Sequence, residues 1–185
     1  MFNDHYMKIT AIRHTRVAVP PGICYGQTDV ALAPTYGHEL EQVKQKLNGA
    51  TFDAVFCSPL TRCRQLAQDL FPGMVIQFDE RLMELNFGQW EMQPWDTISE
   101  TTEAQAWFAD YVSVRTPGGE SFRDLISRTG AFLDELQNNN ETNVVVITHG
   151  GIVRALSCLL NRTAPLDAFQ QRVDYGEVFE FTSAH

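Results

Sequence analysis

The chain has no apolar run near the roughly 18 residues that a membrane-crossing helix requires. Its opening residues, MFNDHYMKITAIRH, contain no signal-peptide core. Together these absences predict a cytoplasmic protein with no membrane partner. Cysteine is scarce: Cys24, Cys57, Cys63 and Cys158 are the four in 185 residues. None has C-x-x-C spacing, and a reducing compartment keeps such cysteines as free thiols. Positive charge is also in short supply. With 14 Lys+Arg against 23 Asp+Glu the formal net charge is -9, and no basic block occurs, which argues against a nucleic-acid partner. No repeat, low-complexity tract or linker divides the chain. Hydrophobic residues at 44% and charged residues at 20% exclude a disordered protein. An acidic chain can still hold a small anion, because salt screens charges beyond about 8 Å and leaves a few local arginines in command of a pocket.

What is present alternates between strand and helix signals. KITAI reads as a buried strand beginning near Met7, with residues 1–6 as a loose leader. Leu40, Val43 and Leu47 have helical spacing within residues 37–47. AVFCSP is a short strand stopped by Pro59, and Leu66, Ala67 and Leu70 mark the next helix. VIQF (Val75–Phe78) is a third strand. Residues 95–111 are compatible with a helix, and residues 121–136 place Leu125, Phe132, Leu133 and Leu136 on one face. NVVVIT (Asn143–Thr148) is the strongest buried strand, followed by a helix from Gly151 to Leu160. EVFEFT alternates as an edge strand does, leaving room for a homodimer through strand pairing. The pattern predicts one α/β domain: a three-layer sandwich with a mostly parallel sheet flanked by helices on both faces. Residues 81–119 lack a βα rhythm and carry Trp90, Trp95 and Trp107. They read as a small insertion covering one edge of the sheet, with the tryptophans either packing its core or forming a stacking surface.

Open α/β sheets bind ligands beyond the carboxyl ends of their strands. Three strand ends carry polar groups here: Arg13-His14, then Ser58-Pro59 leading to Arg62, then Thr148-His149-Gly150. The last two run into helix starts, whose free N–H groups favour an anion. Arg62 near a helix start opposes the macrodipole, a cost with no evident structural return. Arginine forks match phosphate oxygens, and a neutral imidazole is a competent nucleophile near pH 7. Flanking cations would keep a proton off His14. Phosphate transfer then needs positioning, cationic stabilisation and a proton donor for the leaving oxygen. The run ERLMELNFGQWEM offers Glu80, Glu84 and Glu91 for that donor; Met83, Leu85, Phe87 and Trp90 give Glu84 apolar neighbours of the kind that keep a carboxyl protonated, and the residues alone do not choose among the three.

The segments RHT, GICYGQTDVAL, CSPLTRCRQLA, ERLMELNFGQWE and ITHGG, in this order over residues 8–155, resemble the histidine phosphatase superfamily, whose fold is phosphoglycerate mutase-like. CYGQTD and ELNFGQWE are most similar to its α-ribazole phosphatase-like subgroup. The resemblance implies that His14 accepts the phosphoryl group and that Arg13, Arg62 and His149 line the phosphate pocket. It implies Glu84 as proton donor, and Tyr25, Gln27 and the Gly150 and Gly151 amides as substrate contacts. It further implies a small phosphorylated substrate, α-ribazole 5′-phosphate in the subgroup, with no metal and no organic cofactor. Two departures stand out. Thr15 replaces the usual Gly after the histidine, and Arg16-Val17-Ala18-Val19-Pro20 lacks the usual Asn.

Four other readings compete. A cysteine phosphatase would need Cys and Arg separated by five residues, and Arg62 and Arg64 both miss that spacing from Cys57. A metal hydrolase would need more ligands than His14 and His149, and His5, His38 and His185 provide no such pattern. Phosphoglycerate mutases of the family tend to be longer than 185 residues. A non-catalytic scaffold would usually have lost one member of Arg13, His14, Arg62, Glu84 and His149.

Overall fold

The computed structural model describes residues 6–139 and 141–184. The expected leader therefore lies outside the described residues apart from Tyr6, as do His5 and His185. Tyr6 already belongs to the first strand. Five strands form one sheet: β1 (Tyr6–Arg13), β2 (Ala54–Cys57), β3 (Ile76–Phe78), β4 (Asn143–Thr148) and β5 (Val178–Ala184). Their order is β3-β2-β4-β1-β5. The first four are parallel, and β5 runs antiparallel to β1 at the outer edge.

β4 shows why the middle of the sheet is apolar throughout. Val144 and Val146 join one hydrophobic cluster, with Met7, Ile9, Phe122, Phe132 and Leu156. Val145 and Ile147 join another on the opposite face, with Val43, Cys63, Leu66 and Ala67. A parallel strand covered on both faces reads as a continuous β-branched run because successive side chains point opposite ways. Helices α1 (Tyr36–Leu47) and α2 (Thr61–Leu70) cover the second face, and α5 (Phe122–Leu136) and α6 (Gly150–Leu160) cover the first.

The expected single helix over 95–111 is two, α3 (Trp95–Ser99) and α4 (Thr102–Ala109). The break has a local cause: the Thr101 hydroxyl accepts from the Ala104 amide at 3.2 Å and starts a new helix. Ser121 and Asp124 form a reciprocal capping box that starts α5. Within residues 81–119, Trp90, Ile98, Ala104 and Trp107 pack with Cys24 into a third cluster, so Trp90 and Trp107 are buried. Trp95 stacks on Trp107 with ring centroids 6.1 Å apart. A further helix, α7 (Pro165–Gln170), begins on a proline in its first turn and precedes the return into β5.

Register aligns the strand ends. Arg13 pairs with Thr148, and Cys57 with Ile147, so β1, β2 and β4 finish at nearly the same level.

Candidate active site

His14 is the first residue beyond β1 and is 1% exposed. Its amide donates to the Thr148 carbonyl at 2.9 Å, which ties it to the end of β4. Its Nδ1 lies 2.7 Å from the Thr15 carbonyl. A carbonyl can only accept, so Nδ1 carries the proton. Burial first, then the Arg62 and Arg13 charges, push the imidazole well below its usual titration range. The ring is neutral near pH 7, and no group among the described residues hydrogen-bonds its Nε2 lone pair. Thr15 keeps an ordinary backbone there: it is not among the non-glycine residues with positive φ, which are Asn48, Met92 and Arg162. The loss of the usual glycine therefore imposes no backbone strain.

His149 stands against His14 edge-on, with ring centroids 5.1 Å apart. Its Nε2 lies 2.8 Å from the Ser58 hydroxyl. It too is fully buried and pushed well down, by burial and then by Arg62, His14 and Arg13. Two neutral imidazoles and two guanidiniums thus meet at the ends of β1, β2 and β4.

Both arginines are anchored through main-chain carbonyls. Arg62 is fully buried, and its terminal nitrogens donate to Thr28 O at 3.0 Å and Gly26 O at 2.5 Å. Asp29 holds the start of α2 by accepting from the Thr61 amide at 2.9 Å and hydroxyl at 2.6 Å. The loop over 26–29 can pack against the segment that follows Glu84 because Gly26 has no side chain. A Cβ there would lie 2.1 Å from Leu85 O. Arg13 donates to Val173 O at 2.5 Å, and its guanidinium carbon sits 3.9 Å from the centre of the Tyr175 ring. The Nε of each arginine is buried with no hydrogen-bond partner among the described residues. Such a donor costs free energy unless an acceptor arrives.

Glu84 is the one carboxylate of the three candidates that reaches this end of the sheet. Its two oxygens accept from the Gly151 amide at 3.1 and 3.2 Å, in the first turn of α6. The Leu85 amide donates to Oε1 at 2.9 Å. The apolar setting that its sequence neighbours suggested is thus replaced by main-chain donors. Glu91 is occupied elsewhere, accepting from the amides of Gln27, Thr28 and Phe87 at 2.9, 2.6 and 3.2 Å. Glu80 lies in a 3-10 turn, Glu80–Leu82, and is exposed.

The remaining expected contacts fall in two places. The Tyr25 hydroxyl meets that of Tyr175 at 2.5 Å, and the Tyr175 ring is 5.6 Å from that of His14. The phenol pair borders a cavity of about 360 Å³ lined also by Val19, Ile23 and Trp95. Gln27 instead donates from its side chain to the Glu84 carbonyl at 3.0 Å, bracing the segment that carries the acid. Gly150 opens α6 next to His149, and a Cβ on it would meet Arg13 Nε at 3.6 Å.

Sequence reasoning passed over two residues that shape the site. Arg128 on α5 donates to the carbonyls of Arg81, Met83 and Glu84 at 2.6, 2.7 and 2.8 Å and pairs with Glu120 at 2.9 Å. It clamps the Glu84 segment from below. Tyr175 arrives from a connection with neither strand nor helix periodicity. Neither has a local signal, since each acts on residues more than 40 positions away. Among the described residues no cluster of three or more His, Cys, Asp or Glu could hold a metal ion, and no helix is long and apolar enough to cross a membrane.

A buried, neutral histidine facing two arginines and a helix N-terminus, at the carboxyl edge of a parallel sheet, defines an α/β site for an anionic ester. Comparison with known proteins carries this to a family. The model of the histidine phosphatase superfamily (branch 1) matches residues 9–185. The chain is 28% identical over 179 residues to the adenosylcobalamin/alpha-ribazole phosphatase of Escherichia coli (strain K12), covering 92% of this chain and 87% of that protein. It is 30% identical over 170 residues to the 2,3-bisphosphoglycerate-dependent phosphoglycerate mutase of Cytophaga hutchinsonii, covering 85% and 79%. The crystal structure of the alpha-ribazole phosphatase from Shigella flexneri shares the fold, with a TM-score of 0.87 at 22% identity over 97% of this chain and 95% of that one. The chain belongs to the histidine phosphatase superfamily. Its class is that of the phosphoric monoester hydrolases.

Proposed function

We propose that this protein hydrolyses a small phosphomonoester through a phosphohistidine on His14, and that the ester is α-ribazole 5′-phosphate. The observation that carries the mechanism is the bare Nε2 of a buried, neutral His14 beside two arginines that each keep an unpartnered Nε. In the first step the Nε2 lone pair attacks phosphorus in line. The P–O ester bond breaks, its electron pair stays on the leaving oxygen, and that oxygen takes a proton from Glu84. In the second step Glu84 removes a proton from water as the water oxygen attacks phosphorus. The P–N bond breaks and its pair returns to Nε2. Arg13, Arg62, neutral His149 and the Gly150 amide stabilise the charge on the three equatorial oxygens, while the Gly151 amide holds Glu84. Tyr25 borders the leaving group, and Gln27 acts through the Glu84 segment it braces.

The relative from Escherichia coli supports the choice of substrate by its name. The aromatic wall made by Tyr25, Trp95 and Tyr175 suits a ring-bearing alcohol. On this reading the chain is a single cytoplasmic domain whose residues 81–119 cover the site. The edge of β5 is where a second copy would pair. The test is rapid quench with ³²P-labelled substrate, which should trap acid-labile phosphate on the wild type. His14→Ala should trap none and lose turnover by at least about 10³-fold. Full turnover by His14→Ala would rule the mechanism out. A panel of phosphomonoesters that includes α-ribazole 5′-phosphate, phosphoserine and 3-phosphoglycerate then decides the substrate.

A further inference from the structure

A third guanidinium stands at the rim of this site. Arg154 lies on α6, one turn beyond Gly150, and helical side chains lean toward the N-terminus. A Cβ on Gly150 would sit 3.5 Å from Arg154 Nη1 and 3.6 Å from Arg13 Nε, so both guanidiniums border the same spot. Arg154 is half-buried. Its one hydrogen bond among the described residues runs from Nε to Gln171 O at 3.2 Å. The guanidinium carbon lies 5.6 Å from the centre of the Phe169 ring. These two contacts fix the plane of the group and leave both terminal nitrogens free. A cation in the first turns of a helix opposes the macrodipole, and burial alone already weakens its hold on its proton. No hydrogen bond among the described residues uses its terminal nitrogens, which is the situation of a side chain kept for an external acceptor.

Its position relative to the reacting atoms follows from its neighbours. Arg13 and Arg62 bear on both imidazoles. The charge that bears favourably on Arg154 is Glu84, the group given the leaving oxygen. Arg154 borders Gly150 and Glu84 borders Gly151, so Arg154 stands on the Glu84 side of the pocket, beyond Arg13. The segment after α7 organises this pair: Val173 O holds Arg13 and Gln171 O holds Arg154, so two cations are pinned by carbonyls two residues apart on one stretch of backbone.

We propose that Arg154 is a substrate-binding residue that donates to an oxygen of the alcohol moiety, a hydroxyl, ring ether or carboxylate a few bonds from the ester. This rests on the phosphatase reading above. It selects polyol and sugar phosphates, or hydroxy-acid phosphates, over esters whose alcohol has no further acceptor.

Arg154→Met keeps an unbranched apolar stem against Phe169 and removes the fork. The measurement is kcat/KM for three esters. Ribose 5-phosphate has acceptors beyond the ester oxygen. Propyl phosphate has an equally poor leaving group and none. 4-Nitrophenyl phosphate has a good leaving group with no acceptor beside the ester oxygen. Loss of a hydrogen bond from a charged donor should lower the value for ribose 5-phosphate about 10- to 100-fold, mostly in KM. Propyl and nitrophenyl phosphates should stay within about threefold. Arg154→Lys, which retains charge but not the fork, should fall between and covers the case of a poorly folded methionine variant. An equal loss on all three esters would assign Arg154 to the phosphate or to the fold, and no loss on ribose 5-phosphate would leave it without a role. Either result overturns the proposal. A wild type inert toward all three would instead overturn the phosphatase reading on which it rests.

Discussion

Replacing Gly151 by alanine should damage proton donation while sparing the fold. The new Cβ would sit 2.1 Å from Glu84 Oε1 and 2.9 Å from Leu125 Cδ2. Leu125 is the end of a side chain and can give way. The carboxyl cannot stay, because real Cβ atoms essentially never approach another atom within 3.0 Å. Glu84 must retreat by about 1 Å, a displacement that costs on the order of 10²-fold when it moves a reacting group. Stability should change little. Alanine in place of glycine inside a helix contributes about 1 kcal/mol, which offsets the local crowding against Leu125. The assay is kcat/KM, which reports phosphoryl transfer to His14 and not the later hydrolysis, on alkyl and aryl phosphates beside a thermal melt. Alkyl leaving oxygens need the proton, so turnover of propyl phosphate should fall about 100-fold. Nitrophenyl phosphate, whose leaving group departs as an anion, should fall by less than about tenfold. Glu84→Gln should reproduce the same ratio. Equal losses on the two esters, or an unchanged alkyl rate, would refute the assignment of Glu84 to the leaving oxygen.

Two further outcomes are expected. His14 and His149 are both pushed well below 6.5 in the fold by burial and the arginines, so the unfolded chain binds protons that the native chain refuses. Native stability is then full above pH 6.5 and falls as pH drops below it, by up to about 1.4 kcal/mol per pH unit for each histidine. Urea unfolding at pH 7.5, 6.5 and 5.5 measures this, and His149→Gln should halve the slope; a flat profile would contradict the burial of both rings. Arg62→Lys cannot reach the carbonyls of both Gly26 and Thr28 from one fork, so one is left buried and unpaired. It should cost about 1–3 kcal/mol in denaturant unfolding and at least about 10²-fold in kcat. Retention of both would show that the guanidinium geometry is dispensable.

Much of this architecture is legible in the chain because its determinants are local. NVVVIT can only be a doubly covered strand, and a strand that stops at His149-Gly150-Gly151 hands its polar groups to a helix start. Arg13, His14, Arg62 and His149 were therefore recognisable as one constellation, and the structure does bring them together. The split between α3 and α4 turns on one hydroxyl, Thr101, which looks like any other threonine in a polar stretch. The neighbours of Glu84 in sequence misdescribe its surroundings, since the groups that bond it come from Leu85 and from Gly151, 67 positions away. Tyr175, Arg128 and Arg154 act at comparable distance, through contacts that no periodicity encodes.

The order of strands has a consequence for how the site is born. β1 is made first, yet both of its neighbours in the sheet, β4 and β5, come from residues 143–184. During synthesis at about 5–20 residues per second, Arg13 and His14 must wait many seconds for Thr148, Val173 and Tyr175 to emerge. Until then the nascent chain can build neither the anion pocket nor the hydrogen-bonded ladder that shields its earliest apolar strand. The KITAI segment therefore keeps both of its edges unpaired until residues 143–184 are made.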